Sequence, residues 1–112
     1  MQVSIYRSGV LIGTGRLDRL DPPIGFATGP FFPTDQYDPG SDANTIDGVC
    51  VGDRGAVLSA VSLEHGTLKA SVVIEDYAKT LSERALWVRF EDGLTFRGLF
   101  ADHADYRAYY TQ

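Results

Sequence analysis

The sequence predicts a mainly β, antiparallel fold, a small barrel or two-layer sandwich of about seven strands with a short C-terminal helix. Three observations point there. Short apolar alternations recur at hairpin spacing, turn residues stand between them, and no long segment keeps a helical period. A parallel sheet would need helical crossovers, and the chain has no room for a set of them. With 112 residues it reads as one domain, 1–112, long enough to enclose a core without disulfides or metals.

The first element is "VSIYRSGVLIGT". A two-residue Ser8-Gly9 loop pairs Arg7 with Val10, Ile5 with Ile12 and Val3 with Thr14, gathering Val3, Ile5, Val10 and Ile12 on one face. Next, "IGFATGPFF" reads as a strand with Ile24, Phe26 and Thr28 on one face. Gly25, Ala27 and Gly29 make the other so small that a neighbouring element is expected to approach closely. "AVLSAVSLEHGTLKASVVI" gives a second hairpin, in which a His65-Gly66 loop pairs Leu63 with Leu68, Val61 with Ala70 and Val57 with Ile74.

"ALWVRFEDGLTFRGLF" reads as a third hairpin. A three-residue loop of Glu91, Asp92 and Gly93 keeps Phe90 opposite Leu94 and Val88 opposite Phe96, and it sets Trp87 across from Arg97 as a cation–π pair. Helix is expected in two places only. "EDYAKTLSE" could form a turn or two from an Asp76 cap, with Tyr77 and Leu81 four apart. "ADHADYRAYY" gives the C-terminal helix, capped by Asp102, with Tyr106 and Tyr110 on one side.

Composition limits the function. Fifteen acidic and ten basic residues leave a formal charge of -5, and the arginines are scattered, so nucleic acid and anionic membranes are poor partners. Cys50, the single cysteine, cannot form an intrachain disulfide; flanked by Val49 and Val51, it reads as a small buried side chain. The start "MQVSIYRSG" lacks the pattern of a signal peptide, and no apolar run reaches the length of a membrane span. The expected location is cytoplasmic.

The chemical motifs are weak. "GTGRLD" lacks the third glycine of a dinucleotide fingerprint and falls in a hairpin strand, so Gly13 and Gly15 read as a bend or bulge. The acidic run "TDQYDPGSDANTIDGVCVGD" fails as an EF-hand: from Asp42, Asn44 fits the third position, but Ile46 takes the fifth, Asp47 stands where glycine is needed and Asp53 replaces the final glutamate. His65 reads as a turn residue. His103 with Asp102 and Asp105 falls short of a zinc ligand set, although His103 and Asp105 form the one acid–base pair worth inspecting. Of the serines and Cys50, none carries a nucleophile signature. No cofactor and no metal is expected.

The informative stretch is "LDPPIGFATGPFFPTDQYDPG", which holds all five prolines. Its prolines stiffen it and its apolar side chains seek burial, so it is expected to cross between two β-rich halves and cover the domain. Phe31, Phe32 and Tyr37, rimmed by Asp35, Asp38 and Asp42, are the expected partner-binding patch, against the alternative that these aromatics merely close one end of a barrel. The expected function is a non-enzymatic protein-interaction module, whose acidic face binds a basic partner or mediates homo-oligomer formation. The alternative is a small-ligand carrier with its pocket at a barrel mouth, lined by Trp87, Phe96 and Tyr106 and lidded by the proline-rich segment.

Overall fold

The computed structural model describes residues 1–51, 57–77 and 83–110. It is mainly β with short helices at the C-terminal end. The chain opens with β1 (Gln2–Arg7) and β2 (Val10–Arg16), joined by Ser8 and Gly9, both at positive φ (49° and 80°) as a type I′ turn requires. Arg7 pairs with Val10 as expected, but beyond the first two pairs a bulge shifts the register: Ile5 faces Gly13 and Val3 faces Gly15, not Ile12 and Thr14. The extra residue brings Gly13 and Gly15 inward opposite Ile5 and Val3 and turns Thr14 to solvent, while Ile12 stays buried and Val10 lies at the surface.

β3 (Arg19–Asp21) and a single 3-10 turn at Pro22–Ile24 lead into β4 (Phe26–Pro33). About half of the proline-rich stretch is therefore strand, and β4 is the crossing piece. On one side β4 pairs with β3 through Phe26, Ala27 and Thr28, then with β2 through Phe31, Phe32 and Pro33. Pro30 falls in the interval between these partners. Thr28 directs its carbonyl to the Asp18 N–H (3.1 Å), and strand alternation turns Pro30 the same way, where no ladder donor is called for. The small face forms as expected for Ala27 and Gly29, both buried: a Cβ on Gly29 would stand 1.6 Å from the Arg16 carbonyl oxygen.

After β4 a strap crosses the sheet, carrying the one-turn helix α1 (Pro39–Asp42) and the two-residue strands β5 (Thr45–Ile46) and β6 (Val49–Cys50). Asp47 and Gly48, at φ 50° and 84°, close that hairpin. Further along come β7 (Leu58–Ser62), β8 (Gly66–Thr67), β9 (Ala70–Tyr77) and β10 (Glu83–Phe90). The hydrogen-bonded order is β6-β5-β9-β10-β4-β2-β1-β7-β8, with β3 on β4. Only β5 and β9 run parallel among these pairs, so the sheet is mixed. It curls until β7 approaches β9 without a ladder joining them, and the network stays open. Val3, Ile5, Ile12, Leu17, Ile74, Leu86 and Val88 fill the inside.

Three expected local structures are corrected. Around His65 the pairs are Val61 with Thr67 and Ser62 with Gly66, so the loop is Leu63, Glu64 and His65, and Leu63 is fully exposed. The long strand β9 pairs with β10 instead of β7, because only that register buries Ile74 beside Leu86. The hairpin expected at Glu91–Gly93 is a helix start: α2 (Gly93–Phe100) is capped by Asp92, whose Oδ1 accepts from the Thr95 N–H (2.7 Å) and whose Oδ2 accepts from the Thr95 hydroxyl (2.8 Å). These hydrogen bonds hold the Asp92 carboxyl below the usual carboxylate range. The helix sends Phe96 and Phe100 onto Phe90 (5.7 and 5.6 Å between centroids) and leaves Leu94 in solvent. Trp87 consequently has no Arg97 across from it; its strand neighbours are Val73 and Thr28.

The expected C-terminal helix forms as α3 (Ala104–Tyr110), with the Tyr106 and Tyr110 rings 4.5 Å apart. Its cap is His103, whose Nδ1 accepts from the Asp105 N–H (3.0 Å), and not Asp102, which reaches forward to Arg107. Asp76 and Tyr77 belong to β9; the remainder of the helix expected there, 78–82, lies outside the described residues, as does Asp53. Cys50, expected buried, is exposed on the outermost strand.

Candidate functional site

The residues expected to form one contact patch have separate fates. Phe31 follows the inward parity of β4 and is 3% exposed, its ring set edgewise to Tyr37 at 5.3 Å. Tyr37 is half-buried, and its hydroxyl donates to Asp76 Oδ2 (2.8 Å). Arg84 donates through Nε to the same oxygen (3.1 Å), its guanidinium lying 5.5 Å from the Tyr37 ring centre. Burial, and then the Asp76 carboxylate, push the Tyr37 phenol above the ordinary tyrosine range.

Asp42 is likewise internal. One Nη of Arg7 donates to both of its oxygens, and the Asp38 N–H adds a third hydrogen bond (2.9 Å). Asp38 caps α1 by accepting from the Gly40 N–H. Two buried carboxylates, Asp42 and Asp76, thus pin the strap from both sides, each beside an arginine that neutralises it. Of the six residues, Phe32, Asp35 and Asp38 remain exposed, with Phe32 at 51%. The acid-rimmed aromatic cluster is corrected to a strap fastening, because Phe31, Tyr37 and Asp42 are used in holding the fold.

Phe32 instead borders a different surface. The β10–β4 ladder ends at the Ala85 and Pro30 pair, and beyond it β4 veers away to β2. This divergence leaves a groove of about 660 Å³ bordered by Arg19, Phe32, Tyr77, Arg84 and Trp87. Among the described residues lining it there is no carboxylate. Trp87 meets Phe26 edge to face (5.9 Å between centroids), and its Nε1–H is buried with no acceptor. The Thr28 hydroxyl, also in the groove, is committed to the Leu86 carbonyl (2.8 Å). The Tyr77 hydroxyl is committed to Glu75 (2.5 Å), which raises the Tyr77 phenol above its ordinary range.

The other expected lining residues lie elsewhere. Phe96 and Tyr106 border a second depression of about 470 Å³ with Pro22, Pro23 and Tyr110, so Trp87 does not share a cavity with them. His65 and His103 meet at a third, of about 460 Å³, beside Met1. His103 Nδ1 lies 4.0 Å from Asp105 Oδ2, and that oxygen accepts from the Leu20 N–H (3.0 Å), fastening α3 to β3. Both members of this pair are therefore already bonded to backbone amides. Gly13 and Gly15 belong to β2, covered by the Phe31 ring and the Leu86 side chain. Among the described residues no group of three or more His, Cys, Asp or Glu is placed to hold a metal ion, and no helix is long and apolar enough to cross a membrane.

Sequence reasoning placed Phe32 and Trp87 on candidate surfaces but missed Arg19 at the groove and the pairing of Arg84 with Asp76. No local signal marked Arg19, because the ladder that sets it opposite Thr28 joins β3 to β4 within the sheet, at right angles to the alternation of side chains. Comparison with protein-family models, with curated proteins and with solved structures finds no match to this chain.

Proposed function

We propose that the chain is a non-enzymatic protein-interaction module that receives an extended, apolar segment of a partner protein along the groove beside Trp87 and Phe32. The observation that carries this reading is the pairing of a half-exposed phenylalanine with a concave aromatic surface where a ladder opens. Rigid aromatics are efficient anchors because they bury a large area at a small entropy cost. Among the described residues the rim has no carboxylate, and its one cation not already paired is Arg19, since Arg84 is held by Asp76, so the charge complement is a neutral or acidic partner in place of the basic one read from composition. The exposed Cys50, with no second cysteine in the chain to pair with, fits a reducing compartment, which supports a cytoplasmic module.

Peptide display on the immobilised protein tests the proposal. Clones enriched on wild type are expected to be lost on Phe32→Ser, with circular dichroism confirming that the variant is folded. Enrichment that survives Phe32→Ser, or a library that yields no binder, would remove the reading. A second reading, a small-ligand carrier, draws on the groove volume, which lies in the range of about 300–1,000 Å³ used by small-molecule sites. It requires the ligand to sit on this outer groove, since the interior is filled by Ile5, Ile12, Leu86 and their neighbours. A thermal-shift metabolite screen separates the two.

A further inference from the structure

We infer that the partner segment is held by two large apolar side chains four residues apart, one on each side of Phe32, with the segment extended and neutral between them. This rests on the reading of the groove as a partner site and adds a second hollow to it.

The second hollow follows from side-chain size along one row of the sheet. Val61, Ser4, Thr14 and Phe32 stand in register across β7, β1, β2 and β4, all on the outer face. The row is large at its ends and small in its middle, so Ser4 and Thr14 form the floor of a depression of about 300 Å³ with Val61 and Phe32 as its walls. Leu63, fully exposed, borders it. Phe32 also borders the groove beside Trp87, and its half-exposed ring is the ridge between the two. The groove reaches from Phe32 towards Pro30 and Ala85, and the hollow from Thr14 towards Arg16, so both lie at the same height along the strands. A segment that visits both therefore runs across the strands.

Their separation sets the spacing of the anchors. Two strand intervals of about 4.8 Å, widened where β4 leaves β10, put the hollows roughly 10–13 Å apart. In an extended chain, side chains on one face recur about every 6.7 Å; residues i and i+2 fall short, while i and i+4 span about 13 Å. Charge favours neutral residues between the anchors. No carboxylate lines either hollow among the described residues, Arg16 is held by Asp18 (3.3 Å) and Arg84 by Asp76, and only Arg19 is unpaired. The Ser4 and Thr14 hydroxyls have no described partner, and each can donate to or accept from the amides of a crossing segment. An aromatic set in charge-poor surroundings is the composition of an interface core.

Trp87, the only tryptophan, borders the larger hollow, so its emission reports on occupancy. The probes are tryptophan-free, end-blocked peptides in a common threonine and glutamine frame: leucines four apart, leucines two apart, and a single leucine. On wild type the four-apart peptide is expected to shift the emission saturably and to bind about tenfold more tightly than the other two. Thr14→Phe fills the second hollow from an exposed position, and it is expected to erase that advantage while leaving the single-leucine peptide unaffected. Ser4→Phe, on the neighbouring strand, is the second variant with the same expectation, and circular dichroism confirms that both are folded. Sedimentation of the protein alone checks the other occupant, a second copy, and is expected to show a monomer.

Equal binding of the four-apart and single-leucine peptides, or an advantage that survives both filled variants, would overturn the two-anchor arrangement. If Phe32→Ser still weakened those peptides, the groove would stand as a partner site with one anchor. A two-apart peptide as tight as the four-apart one would overturn the crossing. If no peptide bound, both readings would fall. A dimer lost on Phe32→Ser would also overturn the inference, assigning the hollows to a second copy.

Discussion

Replacing Gly29 by alanine tests the central claim about how β4 joins the two halves of the sheet. Gly29 is not among the residues at positive φ, so alanine meets no torsional objection there, and the effect is one of space alone. An added Cβ would lie 1.6 Å from the Arg16 carbonyl oxygen, 2.8 Å from that carbonyl carbon and 3.2 Å from Asp18 Oδ1. The obstacle is backbone, held by the β1–β2 ladder, and cannot rotate aside as a side-chain tip would. Relieving it means parting the chains by about 2 Å at the point where β4 exchanges β3 for β2, and overpacking of this kind costs about 1–3 kcal/mol or more. Alanine also lowers the entropy of the unfolded chain, which favours folding by about 0.4–1 kcal/mol and offsets part of the loss. Taking the upper end of the cost, because the obstacle is backbone, a net destabilisation of about 2 kcal/mol is expected. Gly98→Ala is the internal control: that residue lies inside α2 with nothing within 4 Å of the added atom, so the same change should stabilise by about 0.5–1 kcal/mol. Urea unfolding followed by Trp87 emission and circular dichroism measures both. A Gly29→Ala variant within about 0.5 kcal/mol of wild type would show that β4 does not pass against Arg16 as described.

Further outcomes follow from the strap and the surface. Tyr37→Phe removes a hydrogen bond to a buried carboxylate and is expected to cost about 1–2 kcal/mol at neutral pH, by urea unfolding. Because the folded-state phenol titrates above its unfolded value near 10, the stability it contributes is complete below about pH 10 and declines as pH rises further. That decline should be smaller in Tyr37→Phe, and equal slopes would refute the coupling. Arg7→Gln strands the buried Asp42 carboxylate and is expected to cost about 3 kcal/mol, since removing one member of a buried pair leaves an uncompensated charge. A thiol reagent should modify Cys50 in the native protein as fast as a model thiol; protection would mean that β6 is covered.

The parts of the fold legible in sequence are those fixed by neighbours in the chain. Ser8-Gly9 closes the first hairpin because two adjacent residues accept positive φ, and the alternation of Phe26–Phe31 sets which face of β4 is buried. The same rule marks Asp47-Gly48, flanked by Ile46 and Val49, as a hairpin, but the acidity of its surroundings invited a loop reading instead. The helix α2 was hidden by degeneracy. Leu94 and Phe96 fit a strand as well as Phe96 and Phe100 fit a helix, and the deciding contacts are Asp92 to Thr95 and Phe100 to Phe90. The bulge between Ile5 and Tyr6 has no local signal either, since what it achieves, setting Gly13 and Gly15 under Phe31 and Leu86, involves residues distant in the chain.

The candidate site was harder to read for a reason that concerns charge more than shape. An acid-rich run suggests an acidic surface only if its carboxylates stay in solvent, and whether they do depends on cations supplied from elsewhere in the chain. Arg7 removes Asp42 from the surface, and Arg84 does the same for Asp76. Each pair is neutral as a whole, so these carboxylates leave the surface without adding a charge of either sign elsewhere. A count of residues yields the net, while recognition is governed by the local field within about 10 Å of the contact. Net charge therefore does not select a partner for this chain, because part of the acidity that produces it is already paired inside the fold.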